Sequence, residues 1–147
     1  MFDPLSYDEK HRTWLARFSG ALTEQDLNAS SCGIRECLLR HGPTAGLLDF
    51  SDVVSVEVTY AQIVSRGMRP QTMVGQKRAI VADGVAFGMM RVFGVYQSGH
   101  GVEPMIMRTL AEAYDALGLV AEDFHPVPLS PALPPGQPWV AHVLPGT

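Results

Sequence analysis

The sequence has little charge. Only 18% of its 147 residues are charged, and the formal net charge is −4; an average soluble domain has about 25% charged residues. An acidic chain with few basic residues lacks the positive stripe of a nucleic-acid-binding protein, so we expect no nucleic-acid partner. Because 46% of the residues are hydrophobic, the chain can bury the core of a single domain.

Long apolar runs are also missing. No stretch approaches the roughly 18 apolar residues that a membrane-spanning helix requires. The first residues, MFDPLSYDEKHR, contain no basic segment followed by an apolar one, which argues against a secretory signal. We therefore expect a cytoplasmic protein without an integral membrane segment.

Residue patterns of catalysis and metal binding are absent as well. The sequence has no GxSxG, GxGxxG or Walker-type motif. The two cysteines, Cys32 and Cys37, are five residues apart in a predicted helix and lie on different faces, so we expect free thiols. No pair of histidines has a metal-ligand spacing: His11, His41, His100, His125 and His142. These absences predict a non-enzymatic protein without a metal or a cofactor.

Two strand-to-helix units are the most informative feature that is present. They span Gly46–Ile63 and Lys77–Gln97, and each has a short apolar run, then an acidic residue (Asp49 or Asp83), then a segment that can form a helix. This pattern predicts that both acidic residues lie in turns at the carboxyl ends of strands, where α/β proteins bind their ligands.

The rest of residues 1–125 extends this pattern. A hairpin is predicted from Leu5–Tyr7 and Arg12–Ser19, with Gly20 ending its second strand. Threonines begin two helices, Thr23 with Asp26 and Thr109 with Glu112 in the capping-box positions. The predicted order, β-β-α-β-α-β-α-β-α, indicates an α/β domain with a single mixed, mostly parallel β-sheet of about four to five strands packed with helices.

The composition changes at residue 126. Seven of the eleven prolines lie between Pro126 and Pro145, which excludes a regular helix and predicts an extended tail over 126–147. We expect Trp139 to anchor this proline-rich tail, either on its own domain or on a second subunit in a homodimer. The alternative is a free, disordered end.

The segments FSGALTEQDL, GLLDFSDV, RAIVADGVAFGMMRVF and TLAEAYDALGL together resemble the STAS-like family of small bacterial α/β proteins. This is the fold of the anti-sigma factor antagonists, and the likeness covers about Arg12–Leu119. It implies a bacterial regulatory module whose partner is a protein.

The resemblance also implies a modification site. The classical antagonists have a phosphorylated serine at the start of a helix, and in this chain Thr59 falls on that position and Glu57 on a neighbouring acidic one. The small Ser-Ser-Gly of the family is absent, and the bulky Val58 and Tyr60 flank Thr59.

The first functional hypothesis is a non-enzymatic protein-interaction module. Its docking surface would consist of the turns at 49–60 and 83–91, with these candidate residues: Asp49, Ser51, Asp52, Thr59, Tyr60, Asp83, Phe87, Met90 and Arg91. For several of them a local role is the alternative. Asp and Ser side chains stabilise turns, Asp83 is placed to cap a helix, and a methionine on a helix often packs in the core.

The second hypothesis is a small protein that binds an apolar ligand or a lipid, in a pocket near the 83–97 helix beneath Phe87, Met90 and Phe93. The densest basic stretch is open to two interpretations: it contacts an acidic partner or anionic headgroups, or it is a solvated loop. It consists of Arg66, Arg69, Lys77 and Arg78.

Overall fold

A computed structural model describes residues 1–69, 76–97 and 104–127. Its elements follow the predicted order. They are β1 (Ser6–Asp8), β2 (Thr13–Leu22), α1 (Glu24–His41), β3 (Ala45–Val56), α2 (Tyr60–Gly67), β4 (Arg78–Val81), α3 (Val85–Gln97), β5 (Met105–Met107), α4 (Leu110–Leu117), a 3-10 turn (Ala121–Asp123) and β6 (His125–Pro126).

The strands form one sheet in the order β5-β4-β3-β2-β1-β6. The four strands from β2 to β5 pair in parallel with one another, whereas β1 pairs antiparallel with both β2 and β6. The predicted mixed, mostly parallel α/β architecture is confirmed. The sheet has six strands rather than four to five, because the two-residue strand β6 is too short to leave a pattern in the sequence.

Helix caps account for where three of the helices begin. Thr23 and Thr59 form complete capping boxes, with Asp26 and Gln62 respectively, and the Thr109 side chain accepts a hydrogen bond from the backbone N–H of Glu112. These bonds satisfy backbone N–H groups that have no partner inside the helix. Gly118, in the left-handed conformation, ends α4 as predicted.

The sheet separates two apolar cores. Side chains such as Trp14, Phe18 and Phe50 pack on one face with α1, α2 and α3. Alternate residues of the same strands, among them Leu15 and Leu47, pack on the opposite face with α4. The larger core therefore lies between the sheet and three helices, and the smaller one under a single short helix.

Two strands continue beyond their predicted ends. β2 passes Gly20 to Leu22, and β3 passes Asp49 to Val56, so the predicted turn at 49–52 is wrong. The two strands remain paired through register shifts at Arg17/Ser19 and Gly20/Ala21. Such irregularities accommodate the positive φ of Gly20 without ending the strand.

At two positions the close packing of elements requires glycine. A Cβ atom on Gly46 would lie 2.1 Å from the indole of Trp14, and one on Gly67 would lie 2.7 Å from the Cβ of Tyr96. The first contact lets the Trp14 ring cross β3, and the second lets α2 approach α3.

The predicted tail lies almost entirely outside the described residues. Its first residue, Pro126, belongs to edge strand β6, where a missing N–H is tolerated, and the N–H of Val127 donates to the carbonyl of Leu5. Trp139 is outside the described part of the chain, and the domain boundary after residue 125 stays a prediction. None of the helices within the described residues has both the length and the apolar character that crossing a bilayer requires.

Candidate functional site

Most of the predicted site residues lie at one end of the sheet. Asp49 pairs with Val81, the last residue of β4, so it lies where β3 and β4 stop pairing. The helices α2 and α3, which follow these strands, begin at Tyr60 and Val85. Asp83, two residues after β4, thus lies at the carboxyl end of its strand as predicted. Asp49 does not, because β3 continues past it to Val56.

Asp49 is buried, with 1% of its surface exposed, and its carboxylate has several partners. It accepts hydrogen bonds from Arg17 Nε (3.1 Å), Ser51 N (2.9 Å) and Ser51 Oγ (2.6 Å). Asp52 is exposed and lies 3.8 Å from Arg17 Nη2. Because these partners hold the Asp49 carboxylate in place, this group has a local structural role. It stabilises the continuous strand β3 rather than the turn that the local interpretation assigned to Asp49 and Ser51.

The Asp49 group lies on the same side of the sheet as α4. Burial raises the pKa of Tyr114 on that helix, while nearby Arg17 acts to lower it and Asp49 to raise it again. The start of α2 lies on the opposite side, since Ile63 of that helix packs in the larger core. The Asp49 group and the start of α2, which were predicted to form one docking surface, therefore lie on opposite sides of the sheet.

Asp83, Phe87 and Arg91 meet at the start of α3, together with Arg108, which the sequence analysis did not single out. Asp83 Oδ1 accepts a hydrogen bond from Arg108 Nη1 at 3.0 Å. The guanidinium carbon of Arg108 is 3.9 Å from the centre of the Phe87 ring, and that of Arg91 is 5.8 Å away. Both distances are typical of cation–π contacts. The Asp83 carboxylate thus pairs with Arg108. Asp83 does not directly precede α3, because Gly84 lies between it and Val85, the first residue of the helix.

Thr59 and Tyr60 form the start of α2 and are exposed. Thr59 Oγ1 accepts from Gln62 N at 3.2 Å, and the Gln62 side chain joins α2 to α1 by donating to Glu24 Oε2 at 2.6 Å. Tyr60 is 58% exposed, as is Val85 at the start of α3, and Val54 at the end of β3 is 75% exposed. Three large apolar side chains are therefore exposed at this end of the sheet.

Met90, in contrast, points inward and lines a cavity of about 410 Å³ between the sheet and the helices α1, α2 and α3. Phe87 is not among the described lining residues. The apolar part of the lining comes from the sheet and from α1, α2 and α3: Trp14, Leu27, Ile34, Leu48, Phe50, Ile63, Ile80, Met90 and Phe93. A pocket beneath α3 was predicted, and its polar lining was not.

The same cavity is lined by four arginines, Arg35, Arg66, Arg69 and Arg78. The described lining residues include no aspartate or glutamate. Burial lowers the pKa of Arg66, and the neighbouring charge of Arg69 lowers it further, while the charge of Glu24 acts to raise it. Burial also lowers the pKa of Arg78, which donates to Gln97 Oε1 at 3.0 Å. Of the basic stretch, only Lys77 is absent from the lining; it is exposed. The solvated-loop interpretation is therefore wrong for Arg66 and Arg78, which are half-buried on α2 and β4, whereas Arg69 is exposed after the end of α2.

Neutral groups contact the Arg66 side chain and the backbone around it. Arg66 Nη2 donates to Asn28 Oδ1 on α1. The amide of Gln97 donates to the carbonyls of Gly67 (2.8 Å) and Arg69 (3.0 Å), which joins the ends of α2 and α3. Within the described residues, neither Trp14 Nε1 nor Arg66 Nε has an acceptor, although both atoms are buried. The cavity thus brings together positive charge and unsatisfied donors.

Among solved structures, the chain is similar to the anti-sigma factor antagonist SpoIIAA in its unphosphorylated form. The TM-score is 0.53 and the sequence identity 19%, over 82% of this chain and 100% of that one. The protein has a STAS-like fold. No protein-family model matches the sequence, and no curated protein is significantly similar to it.

One further cluster in this STAS-like fold was missed by the sequence analysis. Asp8, His11 and Asp123 place potential ligand atoms within 4.8 Å of one another. The carboxylate of Asp8 is fully buried and accepts from both the backbone N–H (3.1 Å) and the ring Nδ1 (2.6 Å) of His11. These bonds close the turn between β1 and β2, and Asp123 approaches because β6 pairs with β1.

Proposed function

We propose that this protein is a non-enzymatic regulatory module that acts by binding a protein partner. The fold supports the proposal, since the similar solved structure is that of an anti-sigma factor antagonist. Its docking surface consists of Val54, Tyr60 and Val85, here called the apolar end, with the Asp83–Arg108 group beside it. Of the finer expectations, a bacterial origin rests on the same resemblance, and a cytoplasmic location rests on the sequence pattern alone.

The observation that carries the proposal is the exposure of these apolar side chains at one end of the sheet. Each of the three is more than half exposed. Aromatic residues are enriched in protein interfaces, where an exposed tyrosine often contributes strongly to affinity. Arginine is also enriched in interfaces, and Arg91 and Arg108 are exposed beside Phe87.

A photo-crosslinking amino acid placed at position 60 tests the docking surface. Val120 provides the matched control, because it is 50% exposed but follows α4, on the other side of the sheet. In an extract of the source cells, we expect one protein to crosslink at position 60 and not at position 120. The purified partner should then bind Tyr60→Ala with an affinity at least about tenfold weaker, the effect typical of a central aromatic contact. Equal crosslinking at both positions would contradict the proposal.

We propose Thr59 as the residue whose phosphorylation regulates docking. It is exposed and begins α2, whose first turn contains no acidic residue. The free N–H groups and the positive end of the helix dipole stabilise a phosphate in this position. Thr109 begins α4 in the same way but has Glu112 in its first turn, which would repel a phosphate. Phosphopeptide mapping of protein from the source cells should find phosphate on Thr59 and not on Thr109.

Two expectations about partners stay open to experiment. Self-association through the tail around Trp139 is tested by comparing the sedimentation of the wild-type chain with that of Trp139→Ala.

A small-molecule ligand is the second candidate function, and the cavity of about 410 Å³ favours it because small-molecule sites typically measure 300 to 1,000 Å³.

A further inference from the structure

The cavity between α1, α2, α3 and the sheet has two different kinds of lining. The sheet contributes buried apolar side chains, among them Trp14 and Ile80. The arginines come from α1 (Arg35), from α2 and the residues after it (Arg66 and Arg69), and from the start of β4 (Arg78). The lining includes exposed residues of α1 and the end of α2, namely Asn28, Cys32 and Arg69, so the cavity reaches the surface there.

Positive charge is concentrated around this cavity although the whole chain is acidic. Four of the chain's eleven basic residues line it, and no carboxylate is present among the lining residues that the structure describes. Within that part of the chain, Arg66 and Arg69 form no ion pair. Each of these two guanidinium groups raises the electrostatic energy of the other, since they are like charges in a partly buried site.

From this arrangement we propose that the cavity is a binding site for an amphipathic small-molecule anion, with a carboxylate or phosphate head and an apolar body. Arg66 and Arg69 bind the head, and the apolar side chains of the sheet contact the body. Arginine suits this role because its planar fork of donors matches carboxylate and phosphate oxygens. The site is on the side of the sheet opposite α4, and it is independent of the protein-docking function proposed above.

The chemistry of the lining selects this class of ligand. A fully apolar molecule would leave Arg66 Nε and Trp14 Nε1 without acceptors, which is unfavourable in a buried site. A small inorganic anion would not cover the apolar lining. A ligand with both parts satisfies both sets of groups.

Four probes separate the two parts of the ligand. Decanoate and decyl phosphate carry the head and the body, decanol carries the body alone, and inorganic phosphate carries the head alone. Calorimetry with the full chain should show that decanoate or decyl phosphate binds at least about tenfold more tightly than decanol or inorganic phosphate, the factor expected for a charge-assisted hydrogen bond. The stronger of the two amphiphiles identifies the head group.

Cysteine labelling gives a second, independent readout. Cys32 is exposed and lines the cavity, so a bound amphiphile should slow its reaction with an alkylating reagent. Decanol at the same concentration should protect it less.

Variants then locate the anion head. Arg69→Gln changes an exposed residue and should fold normally, while Arg66→Gln changes a half-buried one. Both should weaken decanoate binding by about tenfold. Arg40→Gln is the matched control, since Arg40 is an exposed arginine of α1 that is paired with Glu36 and does not line the cavity; its affinity should equal that of the wild type.

Three results would overturn the proposal. The first is equal affinity for decanol and decanoate, which would indicate a purely apolar pocket. The second is an equal loss in Arg69→Gln and Arg40→Gln, which would indicate general charge attraction. The third is protection of Cys32 by a polyglutamate peptide and by none of the amphiphiles, which would indicate a docking site for an acidic protein segment.

Discussion

The two cysteines are on the same helix but in different surroundings. Cys37 has 1% of its surface exposed and packs in the larger core, whereas Cys32 is exposed beside the cavity. Burial raises the pKa of the Cys37 thiol to about 11. The thiolate is the reactive form, so at neutral pH almost none of Cys37 is able to react.

Thiol labelling should therefore distinguish them. At pH 8, iodoacetamide should modify Cys32 and leave Cys37 unmodified in the folded protein, and it should modify both in urea. Mass spectrometry of peptides gives the extent at each position. Cys32→Ser is the control, and the folded variant should show almost no labelling. Rapid labelling of Cys37 in that variant would show that the core near α1 opens readily.

Contacts between individual residues were the hardest feature to predict from the sequence. The free thiols and the helix-capping threonines follow from local patterns, and the structure contains them. Arg108 was not identified, because its partner Asp83 is 25 residues away and nothing in the sequence links them. The contact between Gly46 and the Trp14 indole was missed for the same reason, since it depends on the packing of β2 beside β3.

At the scale of elements, α2 depends on its cap more than a longer helix would. It has eight residues, and isolated helices of this length are unstable without tertiary contacts or caps. Its capping box joins Thr59 to Gln62, and Gln62 also contacts Glu24 of α1. The cap therefore positions α2 beside α1 as well as starting it.

Replacement of Thr59 tests this role. Thr59→Ala removes the side-chain oxygen that accepts from Gln62 N, and we expect the free energy of unfolding to fall by about 1 kcal/mol. Thr59→Ser keeps an oxygen in the same place and should remain close to wild type. Urea denaturation monitored by circular dichroism measures both. Equal losses in the two variants would mean that the methyl group, not the hydroxyl, provides the stability.

At the scale of the whole molecule, the sheet has a larger core on one face and a smaller one on the other. The smaller core lies under α4, of which only Ala113 is buried. The strands β2, β3 and β4, in contrast, have buried side chains on both faces. Local opening is easiest where few apolar contacts must separate, so α4 should open without the rest of the domain.

Hydrogen–deuterium exchange measures this difference. Amides of α4 should exchange faster than those of the paired strands β3 and β4, although both form regular hydrogen bonds. α1 is the control, because it packs on the larger core, and its central residues should exchange more slowly than those of α4. Equal protection of α4 and β3 would show that the domain opens only as a single unit.

The sequence by itself determined the order of the elements, the α/β class and the starts of the helices. These features depend on residues within one or two turns of each other, such as Thr23 with Asp26 and Thr109 with Glu112. The predicted ends of β2 and β3 were wrong. The two strands stay paired beyond Gly20 and Asp49, and this pairing stabilises extended backbone where the local sequence predicts a strand end.

Only the tertiary structure decided what the site contains. The sequence placed Arg66, Arg69 and Arg78 in one basic stretch, but their chemistry depends on the surfaces around them. Parallel strands joined by helices bring Trp14, Arg66 and Gln97 to one cavity, although they are far apart in the chain. The periodicity of the sequence does not predict that these residues are close, because each residue follows the pattern of its own helix or strand. The cavity between the elements forms only when the elements pack together.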